Sequence, residues 1–212
     1  MGLKIRKMGL GILLFSTLWA IPVDKIKNCY YRSYNYEKMG DYRDAIKALI
    51  PVYREYPRGY TINLRLGWLY YLNRNYLDSE KHYKEAMRTI PSSLEPRLGL
   101  MGVYLAMGRF SDLYQQGIAI FRYDLYNYYG NYYYLMGLER EKRLEEAVQI
   151  CRKMLTVYPT DTTFLSHLGV NLIKLGQGKE GKKRLSDTLI LDPENIIARR
   201  YLSNESISSN QK

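Results

Sequence analysis

Side chains that could carry out chemistry are few in this chain of 212 residues, which has two histidines and two cysteines. Neither His82, expected on an outward helix face, nor His167 has a Cys, His or carboxylate at the spacing of a metal site. No serine lies in a nucleophile elbow, and no glycine-rich loop follows a strand to bind phosphate. We therefore predict no catalytic residue, no metal, no cofactor and no enzyme.

Two patterns resemble sites but have simpler interpretations. Gly176-Gln177-Gly178 looks like half a dinucleotide fingerprint, yet it joins two helical runs and follows no strand, so it is read as an interhelical turn. Between residues 139 and 146 four glutamates alternate with Arg140, Lys142 and Arg143. This run is typical of a solvated turn, where each charge pair contributes only tenths of a kcal/mol.

The elements that would position any site repeat with a fixed period. Pro57 and Pro91 are 34 residues apart, as are Pro159 and Pro193, and the gap between the two pairs is 68 residues, or two periods. Glycines before the second run of a unit share the 68-residue spacing: Gly40, Gly108 and Gly176. Proline stops a helix because it lacks the N–H donor and crowds the preceding turn. A constant period of this size predicts a stacked array of helix pairs.

One unit carries most of a family's pattern. In the unit that opens at Tyr60, the residues that match this pattern are Leu66-Gly67, Tyr70, Tyr83, Ala86 and Pro91. This array resembles the tetratricopeptide repeat (TPR) family, whose pattern is W-x2-L-G-x2-Y, then A-x3-F, then A and P. The small residues of the pattern let the two helices of a unit approach closely. The unit that opens at Leu94 is the poorest match, because it has Leu113 and Ile120 at the Ala positions and no closing Pro.

The resemblance implies an all-α fold, a right-handed α-solenoid of about five helix-turn-helix units plus a C-terminal capping helix. The units are placed near 26–59, 60–93, 94–127, 128–161 and 162–195, with the cap at 196–202 and a polar tail at 203–212. The ten repeat helices are predicted near 27–39, 42–56, 61–73, 76–89, 95–107, 110–124, 128–140, 143–157, 162–175 and 178–190. Without its Pro, the third unit is expected to show a kink or a changed stacking angle.

The first 25 residues have the layout of a leader. A basic start precedes an apolar run from Met8 to Val23, as in a secretory signal peptide. Cleavage after Ala20 is plausible, although Leu18 is large for its position in a cleavage site. The alternatives left open are an uncleaved membrane anchor, for which the run is slightly short, and a buried capping helix. The predicted localisation is export, to the periplasm or cell envelope of a bacterium, with possible membrane association through residues 1–25.

The composition limits the classes of partner that can be expected. The formal net charge is +11, but basic and aromatic residues share no stripe, so nucleic acid is not predicted as a partner. Tyrosine is abundant, 23 residues against 4 Phe, and the repeat's aromatic positions do not account for all of it. Cys29 and Cys151 lie three stacked units apart, too far for a disulfide, and are predicted to be buried free thiols.

The resemblance implies a non-catalytic scaffold or adaptor that holds a peptide or protein partner in a concave groove, with no small-molecule substrate. In this family positions 2, 5, 9 and 12 of each unit face the groove. Counting from Ile26, Tyr60 and Tyr128 gives an aromatic set, with Lys27 and Arg65 expected at its rim: Tyr30, Tyr34, Trp68, Tyr71, Tyr129 and Tyr132. These rings are read as a binding surface for an apolar or aromatic segment, and packing on neighbouring helices is the alternative.

Two further points concern the partner. Family members that hold terminal carboxylates use Lys and Asn on successive first helices, whereas the first unit has Tyr30 and Tyr34. No fixed cation is expected there, so a terminal carboxylate is not the predicted anchor. The predicted role is assembly of a bacterial envelope complex. The alternatives are a membrane-anchored structural subunit packed permanently in a larger complex and, for a cytoplasmic chain, an RNA-binding helical repeat.

Overall fold

The computed structural model describes the backbone of residues 21–209 and the side chains of residues 21–203. This part of the chain forms eleven α-helices and no strand. The helices are α1 (Val23–Lys38), α2 (Tyr42–Glu55), α3 (Tyr60–Leu72), α4 (Tyr76–Thr89), α5 (Glu95–Met107), α6 (Phe110–Phe121), α7 (Tyr128–Arg140), α8 (Leu144–Leu155), α9 (Thr162–Lys174), α10 (Gly178–Leu191) and α11 (Ile196–Ser209).

Helices pack in the order of the chain, each against the next, and the odd-numbered helices α3, α5 and α7 also pack against one another. An amphipathic helix pair cannot bury its apolar stripe alone, so successive pairs stack and share a continuous core. The fold is the predicted all-helical solenoid, with five helix pairs followed by α11. Odd-numbered helices thus form one face of the array, and this face positions the candidate site.

Each turn inside a unit contains one residue in the left-handed conformation. The glycines with the 68-residue spacing adopt φ values of 76°, 70° and 81°. In the second and fourth units the same position is taken by Arg74 and Lys142, with φ values of 59° and 60°. The turn is therefore conserved in geometry through all five units, although only three of them have the glycine that favours it.

Glycines and tyrosines interlock between the helices. The ring of Tyr83 on α4 lies between two glycines, Gly67 on α3 and Gly99 on α5. A Cβ at position 67 would lie 2.8 Å from Tyr83 Cδ1, and a Cβ at position 99 would overlap the same ring. Similar contacts join Gly117 to Tyr134 and Gly137 to Tyr114. Tyr83, Tyr114 and Tyr134 therefore fill space that glycines leave open between the helices.

The irregular third unit packs by exchanging large and small residues. It has Met101 where the second unit has Gly67, and Gly117 where the second unit has Tyr83. Met101 Cε would lie 3.1 Å from a Cβ at position 117. The fourth unit makes a related exchange, with Leu135 and Cys151 at these positions in one buried cluster. Interior volume is filled either way, so the poor match to the repeat pattern does not interrupt the core.

The helix bounds differ from the expected ones at three places. Helix α1 begins at Val23, inside the expected leader, and α6 ends at Phe121 rather than near 124. Helix α11 continues through Ser209, beyond the expected cap at 196–202 and into the expected tail. No Pro or Gly interrupts the sequence after Leu202, so nothing local stops the helix.

The N-terminal leader, with its cleavage site or anchor, falls mainly on residues 1–20, which lie outside the described residues. Among residues 21–209, no helix has the length and apolar character needed to cross a membrane. Both cysteines are buried free thiols, as predicted. Burial raises the pKa of the Cys151 thiol well above its ordinary value.

Candidate functional site: an aromatic groove on the odd-numbered helices

A pocket of about 270 Å³ opens on the face formed by α3, α5 and α7. We call it the aromatic groove. It brings together three of the six predicted rings, Trp68, Tyr71 and Tyr129. Of these, Trp68 is 40% exposed and Tyr129 is 62% exposed. Its remaining lining residues are Leu64, Tyr83, Glu95, Leu98, Gly99, Gly102 and Tyr133.

Trp68 is held in a fixed orientation. Its indole Nε1 donates to Glu37 Oε1 on α1 at 2.6 Å, and its ring stacks on Tyr71 with centroids 5.8 Å apart. Glu37 also forms an ion pair with Arg65, between Oε2 and Nη2 at 2.6 Å. A ring that is positioned before binding loses less conformational entropy when a ligand covers it. The exposed tryptophan is therefore a preorganised contact surface.

Two glycines on α5 form the floor of the groove. Gly99 lets the Tyr83 ring reach in from α4, and a Cβ at Gly102 would lie 3.5 Å from the hydroxyl oxygen of Tyr133. Without side chains at these positions, the middle helix leaves space between the rings on α3 and those on α7. The groove therefore opens at the third unit, because the first helix of that unit has glycine at the two positions that face the neighbouring rings.

Burial keeps two phenols of the groove, Tyr71 and Tyr133, in the neutral form. Burial raises the pKa of Tyr71, with a contribution from nearby Tyr76. Burial also raises the pKa of Tyr133, with smaller contributions from Tyr71, Tyr132 and Tyr129. The groove therefore offers ring faces and hydroxyl groups rather than phenolate anions.

Among the described residues, the carboxylate that lines the aromatic groove belongs to Glu95, an exposed residue of α5. Tyr60 donates its hydroxyl hydrogen to Glu95 Oε2 at 2.6 Å, and Ser93 Oγ lies 2.8 Å from the same phenol oxygen. Since the phenol hydrogen is used on Glu95, Ser93 is the donor in the second bond. Within residues 21–203, Glu95 forms no ion pair with a basic side chain.

The remaining predicted rings lie elsewhere. Tyr30 is half-buried, packs against the core of the first unit, and borders a separate depression with Tyr56 and Tyr60. Burial raises its pKa to about 12, with Tyr34 adding to the shift and Arg65 opposing it. Tyr132 is half-buried with its ring edge-on to His167, 6.3 Å between centroids. For these two rings the structure shows packing on neighbours, which was the alternative interpretation.

The two predicted rim cations differ. Lys27 is exposed and lies 3.8 Å from Asp24. Arg65 was expected at the rim, and this is wrong, because only 8% of it is exposed and its charge is paired with Glu37. Its guanidinium lies 3.9 Å from the centroid of Tyr34. The expectation that no fixed cation faces this point is therefore also wrong, although Glu37 compensates the charge.

The groove residues that were not predicted are Leu64, Tyr83, Tyr133 and those on α5. The same four family positions, counted from Leu94, fall on Glu95, Leu98, Gly102 and Leu105, and the first three of these line the groove. Tyr83 was assigned to the repeat's aromatic position and thus to the core. No local signal shows that it reaches the groove, because that depends on Gly99 in the next unit.

The histidines and nearby acids have structural roles. His82 was expected on an outer face, and this is wrong: it is buried, with Nδ1 2.8 Å from Asn63 Oδ1. Glu139 was assigned to a solvated turn, but it faces α9, where Oε1 lies 2.9 Å from His167 Nδ1 and accepts from Asn171 at 2.6 Å. Within the described residues no group of three or more His, Cys, Asp or Glu side chains could hold a metal ion.

This fold defines the structural class of the protein, an α-solenoid of helical repeats. Residues 32–93 match the sequence pattern of the family described as Tetratricopeptide repeat. The matched segment spans most of the first two units, and the geometry of the remaining helix pairs extends the same architecture to α10. The matches indicate no enzyme family.

Solved structures share the fold over most of the chain. MamA from Desulfovibrio magneticus RS-1 (41-end) superposes with a TM-score of 0.71 at 14% identity, covering 82% of this chain and 98% of that chain. MamA AMB-1 has a TM-score of 0.62 at 18% identity, with 81% and 94% covered. A further MamA crystal structure has a TM-score of 0.68 at 15% identity, with 81% and 93% covered. Similarity at these identities establishes the fold.

Proposed function

We propose that this protein is a non-catalytic scaffold that binds a peptide or helix of a protein partner in the aromatic groove. One observation carries the proposal: Trp68 and Tyr129 are exposed on facing helices over a pocket that two glycines keep open. Tryptophan and tyrosine are enriched among the residues that dominate binding energy at interfaces. The fold similarity supports a protein-binding role, because concave helical arrays offer extended surfaces of this kind.

Site-specific photo-crosslinking in the native cell tests where the partner binds. A photoreactive phenylalanine analogue is placed at Tyr129 in the groove or, as a matched control, at Tyr123 after α6, since the two side chains are 62% and 70% exposed. We expect one defined crosslinked protein from position 129 and none from position 123. Adding Trp68→Ala should reduce that crosslink severalfold while the melting temperature changes little. Crosslinking of the same protein from position 123 alone would reject the groove.

The cellular setting is part of the proposal. The basic start and apolar run of residues 1–25 support export, and the proposed role is assembly of an envelope complex in a bacterium. The alternative is a structural subunit anchored by that segment and packed permanently in a larger complex. Sequencing of the mature N-terminus separates the two, because a chain that begins near Ile21 excludes the anchor.

A further inference from the structure

Three places in the array show the same grouping of arginine, tyrosine and glutamate. Arg65 lies over the Tyr34 ring and pairs with Glu37, with distances of 3.9 Å and 2.6 Å. The guanidinium is attracted by the face of the ring and by the carboxylate together. Each grouping joins neighbouring helices, so the chain uses this combination repeatedly to hold a cation.

The other two groupings add a tyrosine hydroxyl. Arg109 lies 4.6 Å from the centroid of Tyr104 and 2.7 Å from Glu80, and Tyr104 donates to the same carboxylate at 3.1 Å. Arg143 repeats this with its guanidinium carbon 5.1 Å from the centroid of Tyr114. The Tyr114 hydroxyl donates to Glu141, which also pairs with Arg143. In both cases one carboxylate accepts from a phenol and from an arginine.

The aromatic groove has a carboxylate and exposed rings but no cation, and the tyrosine that donates to its carboxylate, Tyr60, lies outside the pocket lining. Glu95 accepts from the Tyr60 hydroxyl, as Glu80 and Glu141 accept from theirs. Trp68 and Tyr129 present ring faces in the pocket that Glu95 lines. Within residues 21–203 no basic side chain pairs with Glu95. A negative charge beside exposed rings complements a positively charged ligand group.

We infer that the groove binds a basic segment of the protein partner, with an Arg or Lys side chain lying across the rings of Trp68 and Tyr129 and its charge at Glu95. This inference rests on the proposed function and specifies the partner. Tryptophan is the strongest aromatic partner of a cation. The long aliphatic part of Arg or Lys suits the apolar lining, which includes Leu64 and Leu98.

Selection from a display library of random 12-residue peptides tests the inference on the full chain. We expect wild-type protein to select peptides with one recurrent Arg or Lys position. Glu95→Gln should select peptides without that preference. The matched control is Glu145→Gln, because Glu145 is an exposed glutamate on α8, away from the groove. That variant should select the same peptides as wild type.

Fluorescence polarisation with one selected peptide measures how much the positive charge of the peptide contributes to its affinity. Replacing its basic residue by citrulline, which keeps the shape but removes the charge, should weaken binding to wild type by about fivefold to tenfold. Against Glu95→Gln the same replacement should change affinity by less than about twofold. Circular dichroism of each variant shows whether the fold is kept, and Tyr60→Phe offers a milder second variant that keeps the Glu95 charge and removes the phenol hydroxyl with its bonds to Glu95 and Ser93.

The outcomes separate the inference from the proposed function. Selected peptides without a basic position, or a basic preference that survives Glu95→Gln, would overturn the inference and leave peptide binding intact. Concentration-dependent dimerisation abolished by Glu95→Gln would assign the groove to a second copy of this chain and overturn it too. If wild type selects no peptide at all, both proposals fail.

Discussion

The second unit, residues 60–93, and the fourth, residues 128–161, hold the turn before them with the same side chain. Asn63 and Asn131 occupy the fourth position of their units, and the Nδ2 of each donates to two carbonyls of the preceding segment. The units differ in which side chain contacts the oxygen, Oδ1, of this amide. Asn63 Oδ1 faces His82 at 2.8 Å, whereas Asn131 Oδ1 is buried with no hydrogen-bond partner among the described residues.

The difference comes from one residue on the second helix. The fourth unit has Ile150 where the second has His82. Because Asn63 Nδ2 is used on carbonyls, its Oδ1 accepts, so His82 carries its hydrogen on Nδ1. The imidazole also stacks on Tyr70 and meets Tyr53 edge-on, with centroids 5.2 Å and 5.1 Å away. The comparison shows that the asparagine alone suffices to hold the turn, and that its second bond is an addition specific to one unit.

The two units also fill their cores in opposite ways. Gly67 faces the large Tyr83 in the second unit, while the fourth unit has Leu135 with the smaller Cys151. Each pair is complementary in volume, so neither member can change alone without loss of packing. We expect substitutions in these pairs to change the free energy of unfolding most, and substitutions that affect the asparagine hydrogen bonds to change it least.

Leu135→Ala should have the largest effect. Leu135 is fully buried, and Cys151 is too small to fill the cavity that would remain. Such truncations cost about 2–5 kcal/mol. Urea denaturation followed by circular dichroism measures the loss in the free energy of unfolding. The control is Leu77→Ala on α4, which is 70% exposed and should change stability by less than about 0.5 kcal/mol. Equal losses for both variants would contradict the core assignment.

Gly67→Ala should cause the next largest loss in the free energy of unfolding. The new Cβ would lie 2.8 Å from the Tyr83 ring, which cannot retreat because Gly99 contacts its other side. Overpacking of this kind costs about 1–3 kcal/mol. Gly178→Ala is the matched control, since a Cβ there meets no atom within 4 Å and alanine favours the helix. A melting temperature unchanged by Gly67→Ala would mean that α3 and α4 are not in close contact.

His82 should make stability depend on pH. Burial lowers its pKa from 6.5 to about 4, with Lys81 adding to the shift and Asp78 and Glu85 opposing it. Its contribution is therefore present above pH 6.5 and is lost as pH falls towards 4, because only the unfolded chain takes up the proton in that window. The expected loss between pH 7 and pH 5 is about 2 kcal/mol.

His82→Ile, which copies the fourth unit, is the variant that checks this. At pH 7 it should be less stable than wild type by about 1–2 kcal/mol, because Asn63 Oδ1 loses its donor. Its stability should fall much less between pH 7 and pH 5. His167→Gln is the control and should keep the dependence due to His82. An unchanged pH profile in His82→Ile would show that the pKa of His82 is the same in the folded and the unfolded chain.

Ile150→His is the converse change and should have the smallest effect. It offers Asn131 Oδ1 the donor that it lacks, at the cost of a half-buried apolar side chain. A net hydrogen bond contributes about 1 kcal/mol, so we expect a change of less than about 1 kcal/mol of either sign at pH 7. The double variant with Asn131→Ala isolates the new bond, since any gain should then disappear.

The sequence by itself determined the architecture of this protein. The 34-residue period of the prolines and the left-handed turn glycines are local signals, each acting within a few residues of the chain. Because the spacing is constant, the units with clear signals also predict where the units with weak signals begin and end. The period thus predicts bounds for the third unit although that unit lacks the closing Pro.

Only the tertiary structure decided which rings form the groove and which fill the core. Trp68, Tyr71 and Tyr129 share a pocket, but Tyr30 and Tyr132 pack on neighbours. All five rings occupy positions that face the groove in this family, while the opposing side chain from the next unit differs. The groove opens where Gly99 and Gly102 face rings from α4 and α7. Contacts of that kind depend on residues distant in sequence, so no local pattern encodes them.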